Sequence, residues 1–260
     1  MYELLQRLTD RSGMERLDQV LVERGICQSR EQAKRAILAG LVRINQQRAN
    51  KPSDRVRPED EVTLAAAEKF VSRGGHKLEH ALRHFQLRVD GAIAIDLGAS
   101  TGGFTDCLLQ HGAAKVYAVD VGQGQLAWKL RQDERVVVME KTNARDLVPG
   151  SFAQPFVSAD LVVIDCSFIS LRKILPAAVA LVRRSGNIVA LIKPQFEAGK
   201  SEADKGAGVI RDPAVHDRVV GELKDFIDKL GKVRWCGLTE SPLLGPAGNK
   251  EFLVLLEKTA

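Results

Sequence analysis

The sequence lacks any long hydrophobic run. No apolar stretch approaches the roughly 18 to 20 residues of a membrane-spanning helix, and the opening residues MYELLQRLTDRSGMER contain no apolar segment of the kind that directs secretion. The four cysteines are scattered without a CxxC pair, which disfavours a zinc site and is typical of reduced thiols. These absences favour a cytoplasmic protein with no membrane span and no metal.

The composition supplies enough material for a folded core. The 260 residues fit one large domain, or a domain of typical size with a small one, and 45% of them are hydrophobic. The net charge of +5 is mildly basic, which suits a nucleic-acid partner without requiring one.

Hydrophobic spacing and capping residues predict a small α+β unit over residues 14–66. Residues 1–13 would be an N-terminal extension, with Met14 an alternative start. A first helix is expected in RLDQVLVERG and a second in REQAKRAILAG, where Ser29 and Gln32 form a capping-box pattern. LVRIN and EVTL have the patterns of short strands, separated by a polar turn region.

The same unit is basic. Between Met14 and Asp60, ten basic and seven acidic side chains give a net charge of +3, which fits a solvated surface as well as an RNA-binding one. RLDQVLVERGICQSREQAKRAILAGLVRIN, followed by KPSDRVRPEDEVTL, resembles the S4 RNA-binding domain along nearly its whole length. The resemblance implies that this unit binds structured RNA. The residues expected at the RNA are Arg16, Arg30, Lys34, Arg35, Arg43 and Arg73.

The rest of the chain predicts an α/β fold. Residues 67–77, which include Arg73-Gly74-Gly75, are expected to form an interdomain linker, with a helix beginning near Lys77. Over residues 78–260, short apolar strands alternate with helices, as in a Rossmann-like, mostly parallel, doubly wound sheet. The strands are expected in AIAIDLG, KVYAVDV, VVVMEK, ADLVVIDCS and GNIVALIKP; VRWCGLTESPL and EFLVLLEK are expected to form an antiparallel edge hairpin joined by a turn.

A glycine-rich stretch, DLGASTGGFTD, follows the first of these strands and opens a helix. Ligands of open parallel sheets bind beyond the carboxyl ends of the strands. Asp96, Asp120, Asn143 and Asp165 each end or follow a different strand, so they should collect at that edge. The pattern predicts a small-molecule site there, with glycines kept only for tight strand–helix packing as the structural alternative.

Two ligands compete for this loop. A dinucleotide is disfavoured because Ser100 replaces the middle glycine of GxGxxG and because Asp96 would repel a pyrophosphate. S-adenosylmethionine is favoured because its ammonium, sulfonium and ribose diol suit carboxylates, and because Asp120 lies at the spacing of a ribose-binding acid. For Phe104, core packing is an alternative role. The predicted donor-binding residues are Asp96, Gly98, Ser100, Gly102, Gly103, Phe104, Asp120, Asn143 and Asp165.

From about Met14 to its end, the chain resembles the TlyA family in the motifs SRGGHKL, DLGASTGGFTDCLLQHGA, AVDVGQGQLAWKLRQDERV, EKTNARDL, DLVVIDCSFISL, ALIKPQFEAGK and NKEFLVLL. That family comprises bacterial S4-domain, FtsJ-like ribosomal RNA 2′-O-methyltransferases, often called hemolysins. The resemblance implies S-adenosylmethionine as cofactor and ribosomal RNA, within ribosomal subunits, as partner. The implied reaction is methyl transfer to a cytidine 2′-hydroxyl of 16S rRNA, 23S rRNA or both, by a monomeric enzyme.

The resemblance further implies a catalytic tetrad of Lys77 in SRGGHKL, Asp165 in VIDCS, Lys193 in IKPQF and Glu251 in NKEF. A lysine can take the hydroxyl proton only in its neutral form, which a second lysine and a sulfonium would favour. We expect Lys193 to be the base and Lys77 to position the ribose, with the opposite assignment left open, while the two carboxylates hold the amines. Taken singly, each residue could instead be a surface lysine, a strand-end cap or an exposed strand residue.

Three rival functions remain at this point. A nicotinamide-dependent oxidoreductase conflicts with Ser100, a non-catalytic RNA-binding or ribosome-assembly factor would not need the tetrad, and a membrane-lytic protein would need an apolar span. A metal site at His76, His80 and His84 is disfavoured because no carboxylate or cysteine completes it, so a surface helix face is expected.

The segment from Lys193 to Lys205, with Lys200 and Arg211, could form a basic loop that grips phosphate near the site. Its glycines indicate that such a loop would move.

Overall fold

The computed structural model describes residues 13–65, 68–199, 202, 206 and 208–259. The chain divides into two compact units, Met1–Glu68 and Lys69–Ala260, and each is described by itself. Of the predicted N-terminal extension only Gly13 lies among the described residues, and Lys200 and Lys205 of the predicted basic loop lie outside them.

The first unit is a small α+β fold. Its two helices are α1 (Leu17–Glu23) and α2 (Arg30–Leu38). Its short strands are β1 (Glu15–Arg16), β2 (Val42–Ile44), β3 (Gln47–Arg48), β4 (Arg55–Val56) and β5 (Val62–Leu64). β1 pairs with β4, and β2 lies between β3 and β5, all antiparallel. Apolar side chains spaced along the helices, among them Leu17, Leu21 and Ile37, are fully shielded from solvent and form the core of this unit.

The predicted cap of α2 is present with one change. Ser29 Oγ accepts a hydrogen bond from Gln32 N at 3.2 Å, but the Gln32 side chain reaches back to the backbone N–H of Gln28 at 2.8 Å rather than to that of Ser29. The polar region predicted as turns contains β3 and β4. These two-residue strands are too short to give an alternating apolar pattern, which is why the sequence did not reveal them.

The second unit is a doubly wound α/β fold. Its strands are β6 (Ile93–Leu97), β7 (Lys115–Val119), β8 (Val136–Met139), β9 (Ala159–Ile164), β10 (Val182–Ile192), β11 (Val233–Glu240) and β12 (Phe252–Lys258). Its helices are α3 (Gly74–His84), α4 (Gly103–Gln110), α5 (Trp128–Arg131), α6 (Leu171–Leu181), α7 (Pro194–Glu197) and α8 (Pro213–Leu230), with 3₁₀ turns at Ala144–Asp146 and Pro149–Ser151.

The strand order in the described sheet is β11-β12-β10-β9-β6-β7-β8. β10, β9, β6, β7 and β8 run parallel, while β12 runs antiparallel to both β10 and β11. The predicted mostly parallel sheet with an antiparallel edge pair is therefore confirmed. The strand order reverses between the neighbours β6 and β9, and such a reversal opens a crevice at the carboxyl ends of the strands.

Both faces of this sheet are covered, which explains the near-continuous apolar strands. Ile95 and Leu97 of β6 pack with residues of α6 and α8 on one face. Ala94 of the same strand packs with residues of α3 and α4 on the other. Alternate residues of one strand therefore pack into two hydrophobic cores, one on each face of the sheet. The crevice lies at the carboxyl ends of the strands between these two layers.

Two boundaries differ from the prediction. The unit begins at Lys69 and α3 begins at Gly74, so most of the stretch predicted as an interdomain linker belongs to the second unit. Phe70 explains why, because its ring is buried and lies where a side chain on Gly75 would stand. The hairpin strands β11 and β12 are joined by the whole of 241–251, not by a simple turn.

Candidate active site

A cavity of about 430 Å³ opens at the predicted sheet edge. Four segments line it: residues 72–77 around the start of α3, the glycine loop 98–104 after β6, the residues that follow β9 and β10, and the end of the segment that leads into β12. Strands far apart in the sequence therefore bring their carboxyl-terminal residues to one place. All of these segments belong to the second unit.

Glycines allow the lining segments to approach one another closely. Gly98 has a φ of +89°, and a Cβ there would lie 2.8 Å from the carbonyl oxygen of Asp165. A Cβ on Gly103 would lie 2.2 Å from Ser72 Oγ and 2.9 Å from the backbone nitrogen of Gly75. The glycine loop is thus pressed against the residues after β9 on one side and against the start of α3 on the other.

Asp96, which was predicted to contact the donor, is not among the residues that line this cavity. Its carboxylate is fully buried, and Oδ2 accepts hydrogen bonds from Thr105 N at 2.9 Å and Thr105 Oγ1 at 2.7 Å. Burial raises the pKa of Asp96 to about 7, although the hydrogen bonds from Thr105 act in the opposite direction. Asp96 therefore fastens α4 beneath the loop.

Of the predicted donor-binding residues Gly102 and Phe104, only Phe104 lines the cavity. Gly102 has a φ of +95° and is absent from the lining; a Cβ there would overlap Leu130 Cδ1 at 2.3 Å, so this glycine serves packing. Phe104 is 3% exposed and belongs to the core, yet it also lines the cavity. Phe104 therefore belongs to the core and lines the cavity, and its contact with the donor stays a prediction.

Asp120 braces the glycine loop from the end of β7. Its Oδ2 accepts a hydrogen bond from Ser100 N at 2.8 Å, and its Oδ1 accepts one from Gly122 N at 2.7 Å. Asp120 and Asn143 both line an adjoining cavity of about 180 Å³, which shares Gly98 with the first. The carboxylate and the amide predicted from different strand ends therefore lie along one continuous groove.

The first buried ion pair joins Lys77 and Glu251. Lys77 Nζ lies 2.5 Å from Glu251 Oε2, and the two side chains are 8% and 0% exposed. The other carboxylate oxygen, Oε1, is buried without a hydrogen-bond partner among the described residues. One acceptor in the cavity wall is thus left for a ligand.

The second pair joins Lys193 and Asp165. Lys193 Nζ lies 2.7 Å from Asp165 Oδ1 and donates a hydrogen bond to Ser167 Oγ at 2.9 Å. The lysine stands between β10 and α7, where Pro194 starts the helix and the Lys193 backbone is extended. All four residues of the predicted tetrad line the one cavity.

A third cavity, of about 440 Å³, adjoins the tetrad on its other side and shares Lys193 and Glu251 with the first. Phe168, Phe196 and Pro246 provide apolar walls. Phe168 is 91% exposed and has a φ of +62°. Ser167 also belongs to both cavities and was missed in the sequence, although it is the last residue of the predicted strand stretch ADLVVIDCS.

The predicted RNA contacts of the first unit lie on or near its surface. Arg16 Nε and Arg30 Nη2 each lie 2.9 Å from a carboxylate oxygen of the buried Asp18, and both arginines stay largely exposed. Lys34 Nζ pairs with Glu31 at 2.9 Å. The exposed Arg35 and Arg43 donate to backbone carbonyls.

Arg73 belongs to the second unit and lines the first cavity. Its place is therefore beside the glycine loop, on the same structural unit as the tetrad.

The other sequence signals find structural partners. His80 Nε2 lies 3.1 Å from Thr239 Oγ1 and its ring stacks on that of His84, while His76 packs edge-on against Phe70. Across the described ranges, no three His, Cys, Asp or Glu side chains are grouped so as to hold a metal ion. Nor does any helix in the described residues have the length and apolar character to cross a membrane.

Comparison with known proteins agrees with this architecture. Residues 70–258 match the family model of FtsJ-like methyltransferases, and residues 15–62 match that of the S4 domain. The chain is 47% identical to the 16S/23S rRNA (cytidine-2′-O)-methyltransferase TlyA of Mycobacterium tuberculosis, over 93% of this chain and 89% of that protein.

Two further relatives carry a different name. Hemolysin A of Brachyspira hyodysenteriae is 41% identical over 92% of this chain and 98% of its own length. The solved structure of a protein described as a hemolysin from Streptococcus thermophilus is 46% identical, with a TM-score of 0.72, and the match covers 95% of this chain and 89% of that one. The chain therefore belongs to the TlyA family of FtsJ-like methyltransferases with an S4 domain.

Proposed function

We propose that the protein transfers a methyl group from S-adenosylmethionine to the 2′-hydroxyl of a cytidine in ribosomal RNA. The observation that carries this proposal is the meeting of two lysine–carboxylate pairs, Lys77–Glu251 and Lys193–Asp165, in one cavity beside the glycine loop. The similarity to an enzyme named for cytidine-2′-O methylation of 16S and 23S rRNA supports the choice of substrate.

The groove along the sheet edge fits the methyl donor. When bound, S-adenosylmethionine supplies the methyl group from its sulfonium. The amino-acid portion would lie against the glycine loop near Gly98, and Ser72 and Arg73 belong to the same cavity lining, where the Arg73 guanidinium could donate hydrogen bonds to the donor's carboxylate. Asp120 and Asn143 would take the ribose and base in the adjoining cavity. The carboxylates suit a cationic ligand better than a pyrophosphate.

Lys193 is the proposed general base. Its amine is held by Asp165 and Ser167, so its direction is set before the substrate arrives. In its neutral form it would take the proton of the 2′-hydroxyl while that oxygen bonds to the methyl carbon; the methyl–sulfur bond breaks, and its electron pair stays on the sulfur of the departing S-adenosylhomocysteine. Asp165 and Ser167 keep that nitrogen in place through the transfer.

Lys77 and Glu251 are proposed to orient the ribose. The Lys77 amine can donate to a sugar oxygen, and the unpartnered Glu251 Oε1 can accept from a sugar hydroxyl. The two residues would thus hold the acceptor oxygen in line with the methyl group. The enzyme is proposed to act as a monomer.

The S4-like unit, proposed to span 14–66, would supply affinity for the RNA. Its largely exposed Arg16 and Arg30 are positioned by Asp18 and can still reach phosphates. Lys34, Arg35 and Arg43 would add to this basic surface. Since phosphate contacts carry no sequence information by themselves, choice of the nucleotide would come from the catalytic unit and the RNA's shape.

The test is a transfer assay with radiolabelled S-adenosylmethionine and ribosomal subunits from cells that lack this enzyme. Label in one cytidine, with resistance of the following phosphodiester to alkali, is the expected result. Label on a base would refute 2′-O transfer. RNA binding without any label would instead support the non-catalytic assembly factor.

Calorimetry without RNA tests the donor site separately. S-adenosylmethionine should bind, whereas NAD should not. Tight binding of NAD instead would support the oxidoreductase reading.

A further inference from the structure

Gln195 is a half-buried residue whose side-chain amide oxygen has an unmet hydrogen-bonding capacity. It lies on α7, two residues after Lys193, and its Oε1 atom is shielded from solvent without a hydrogen-bond partner among the described residues. Leaving a buried polar atom unpaired is costly, and most such atoms in folded proteins have a partner. An unpaired acceptor this close to the proposed base suggests that a ligand supplies its missing hydrogen-bond donor.

The cavity that Gln195 lines has the character of a nucleobase pocket. Phe168 and Phe196, whose ring centroids are 5.2 Å apart, and Pro246 supply flat apolar walls. Its polar end carries Lys193 and Glu251, the groups that would hold the ribose. A nucleotide with its sugar at the tetrad would therefore direct its base into this cavity, whose volume of about 440 Å³ lies within the range of ligand pockets.

We propose that Gln195 determines base specificity by pairing with the Watson–Crick edge of the acceptor cytosine. Its Oε1 accepts a hydrogen bond from the exocyclic N4 amino group, and its Nε2 donates one to N3. A side-chain amide has the donor and acceptor needed for such a two-bond contact. This inference rests on the proposed function, because it takes the acceptor to be a cytidine.

This amide orientation disfavours uracil as long as the amide does not rotate by 180° when the base binds. Uracil presents an acceptor, O4, where cytosine presents N4–H, and a donor, N3–H, where cytosine presents an acceptor. Oε1 would then face O4 and Nε2 would face N3–H, so both contacts become repulsive. A site built to satisfy one hydrogen-bond pattern rejects the reversed pattern because its buried groups are left unpaired.

The experiment compares cytidine and uridine at the methylated position. Ribosomal subunits carrying either base are prepared from cells that lack the enzyme, and kcat/KM is measured for the wild type, Gln195→Ala and Gln195→Met. Methionine keeps the length of the side chain and removes the amide. Gln132→Ala is the matched control, since Gln132 is an exposed glutamine outside the cavity.

We expect the wild type to prefer cytidine by 10-fold or more. Both Gln195 variants should lose 10- to 100-fold in kcat/KM on cytidine with little change on uridine, so that the preference collapses. Their affinity for S-adenosylmethionine, measured by calorimetry without RNA, should match that of the wild type, and Gln132→Ala should keep both rates.

Other outcomes overturn the inference in distinguishable ways. An equal loss on cytidine and uridine would assign Gln195 a structural role only, and an unchanged preference would remove it from base recognition; in both cases the proposed function stands. If the wild type methylates no cytidine at all, the proposed function fails and this inference fails with it.

Discussion

Each unit contains an aspartate that is fully shielded from solvent, and the two carboxylates are stabilised very differently. In the N-terminal unit, hydrogen bonds from Arg16 and a further pair with Arg30 lower the pKa of Asp18 to about 2. In the catalytic unit, burial raises the pKa of Asp96 to about 7, since only Thr105 donates hydrogen bonds to it. In the N-terminal unit two arginines neutralise the buried carboxylate, whereas in the catalytic unit no cation pairs with it.

The same contrast extends to the basic side chains. Arg16 and Arg30 hold Asp18 while remaining 39% and 52% exposed, so they can also face an RNA. Lys77 and Lys193 are only 8% and 9% exposed and face a cavity. Exposed cations suit long-range attraction of a polyanion, whereas shielded cations interact strongly with a small number of fixed groups. The comparison implies that affinity and chemistry are separable by mutation.

The largest separation is expected for Lys193→Ala. Removing the proposed base should lower kcat by about 10²- to 10⁴-fold, the usual contribution of general acid–base catalysis. RNA affinity, which we attribute to the N-terminal unit, should be unchanged. A single-turnover methyl-transfer assay and a filter-binding assay on the same subunits measure the two quantities.

Lys250→Ala is the matched control for Lys193. This lysine adjoins Glu251 in the sequence, but its amine pairs with the partly exposed Glu240. It should therefore transfer methyl groups at the wild-type rate. A wild-type rate in Lys193→Ala would remove this residue from the mechanism and favour Lys77 as the base.

The next largest effect concerns stability. Glu251→Ala leaves the Lys77 ammonium buried and unpaired, and breaking a buried pair in this way costs about 3–5 kcal/mol. Urea unfolding followed by tryptophan fluorescence measures it, because Trp128 and Trp235 both lie in the catalytic unit.

Two variants sharpen the interpretation of that stability loss. Glu240→Ala, which breaks an exposed pair, should leave the same transition almost unchanged. The double change Lys77→Met, Glu251→Leu should recover much of the lost stability while abolishing transfer. If Glu251→Ala unfolds at the same urea concentration as the wild type, the pair is not a buried ion pair in solution.

Much of this arrangement was accessible from the sequence, for definite reasons. The parallel strands are apolar throughout, and their carboxyl-terminal Asp96, Asp120 and Asp165 share one edge by topology alone. The tetrad came from the family resemblance, and the structure brings its four members together in one cavity. What remained hidden depended on packing between distant segments.

Three particulars illustrate that limit. The burial of Asp96 follows from α4 folding back over β6, and no local signal records it. Ser167 is an ordinary loop serine until β10 brings Lys193 beside it. The sequence predicts a simple turn where the structure has the segment 241–251, because strand patterns carry no information about the residues between strands. Long-range contacts, rather than propensities, decide all three.

The contrast between the aspartates predicts a pH effect for Asp96→Asn. The pKa of Asp96 in the folded protein, about 7, lies above the value of about 4 for an unfolded chain. The folded state therefore binds the proton more tightly, and the wild type loses stability as the pH rises from about 4 to about 7. Asparagine is uncharged and removes this loss, so the variant should gain on the wild type by roughly 2–4 kcal/mol between pH 5 and pH 8.

Urea unfolding at pH 5 and pH 8, again followed by tryptophan fluorescence, checks this expectation. Asp18→Asn is the matched control: its target lies in the other unit, so the tryptophan transition should not move. Its own effect has the opposite sign, because a lowered pKa gives stability that is present above about pH 4 and lost as the pH falls towards 2. If the free energies of unfolding of Asp96→Asn and the wild type change in parallel with pH, ionisation of Asp96 does not destabilise the folded state.

The smallest effect is expected for Lys34→Ala in the N-terminal unit. Its amine pairs with Glu31, whose side chain is 74% exposed, and a pair so open to water is readily exchanged for an RNA phosphate. Loss of one phosphate contact should weaken binding to ribosomal subunits only a few-fold and reduce the slope of log affinity against log salt by about 0.7–0.9. Fluorescence anisotropy over a series of salt concentrations measures that slope. Lys224→Ala changes an exposed lysine on α8 of the other unit and should leave the salt slope unchanged. Equal slopes for Lys34→Ala and the wild type would mean that the face of α2 does not touch RNA. The basic residues of this unit would then serve only its own fold and solvation.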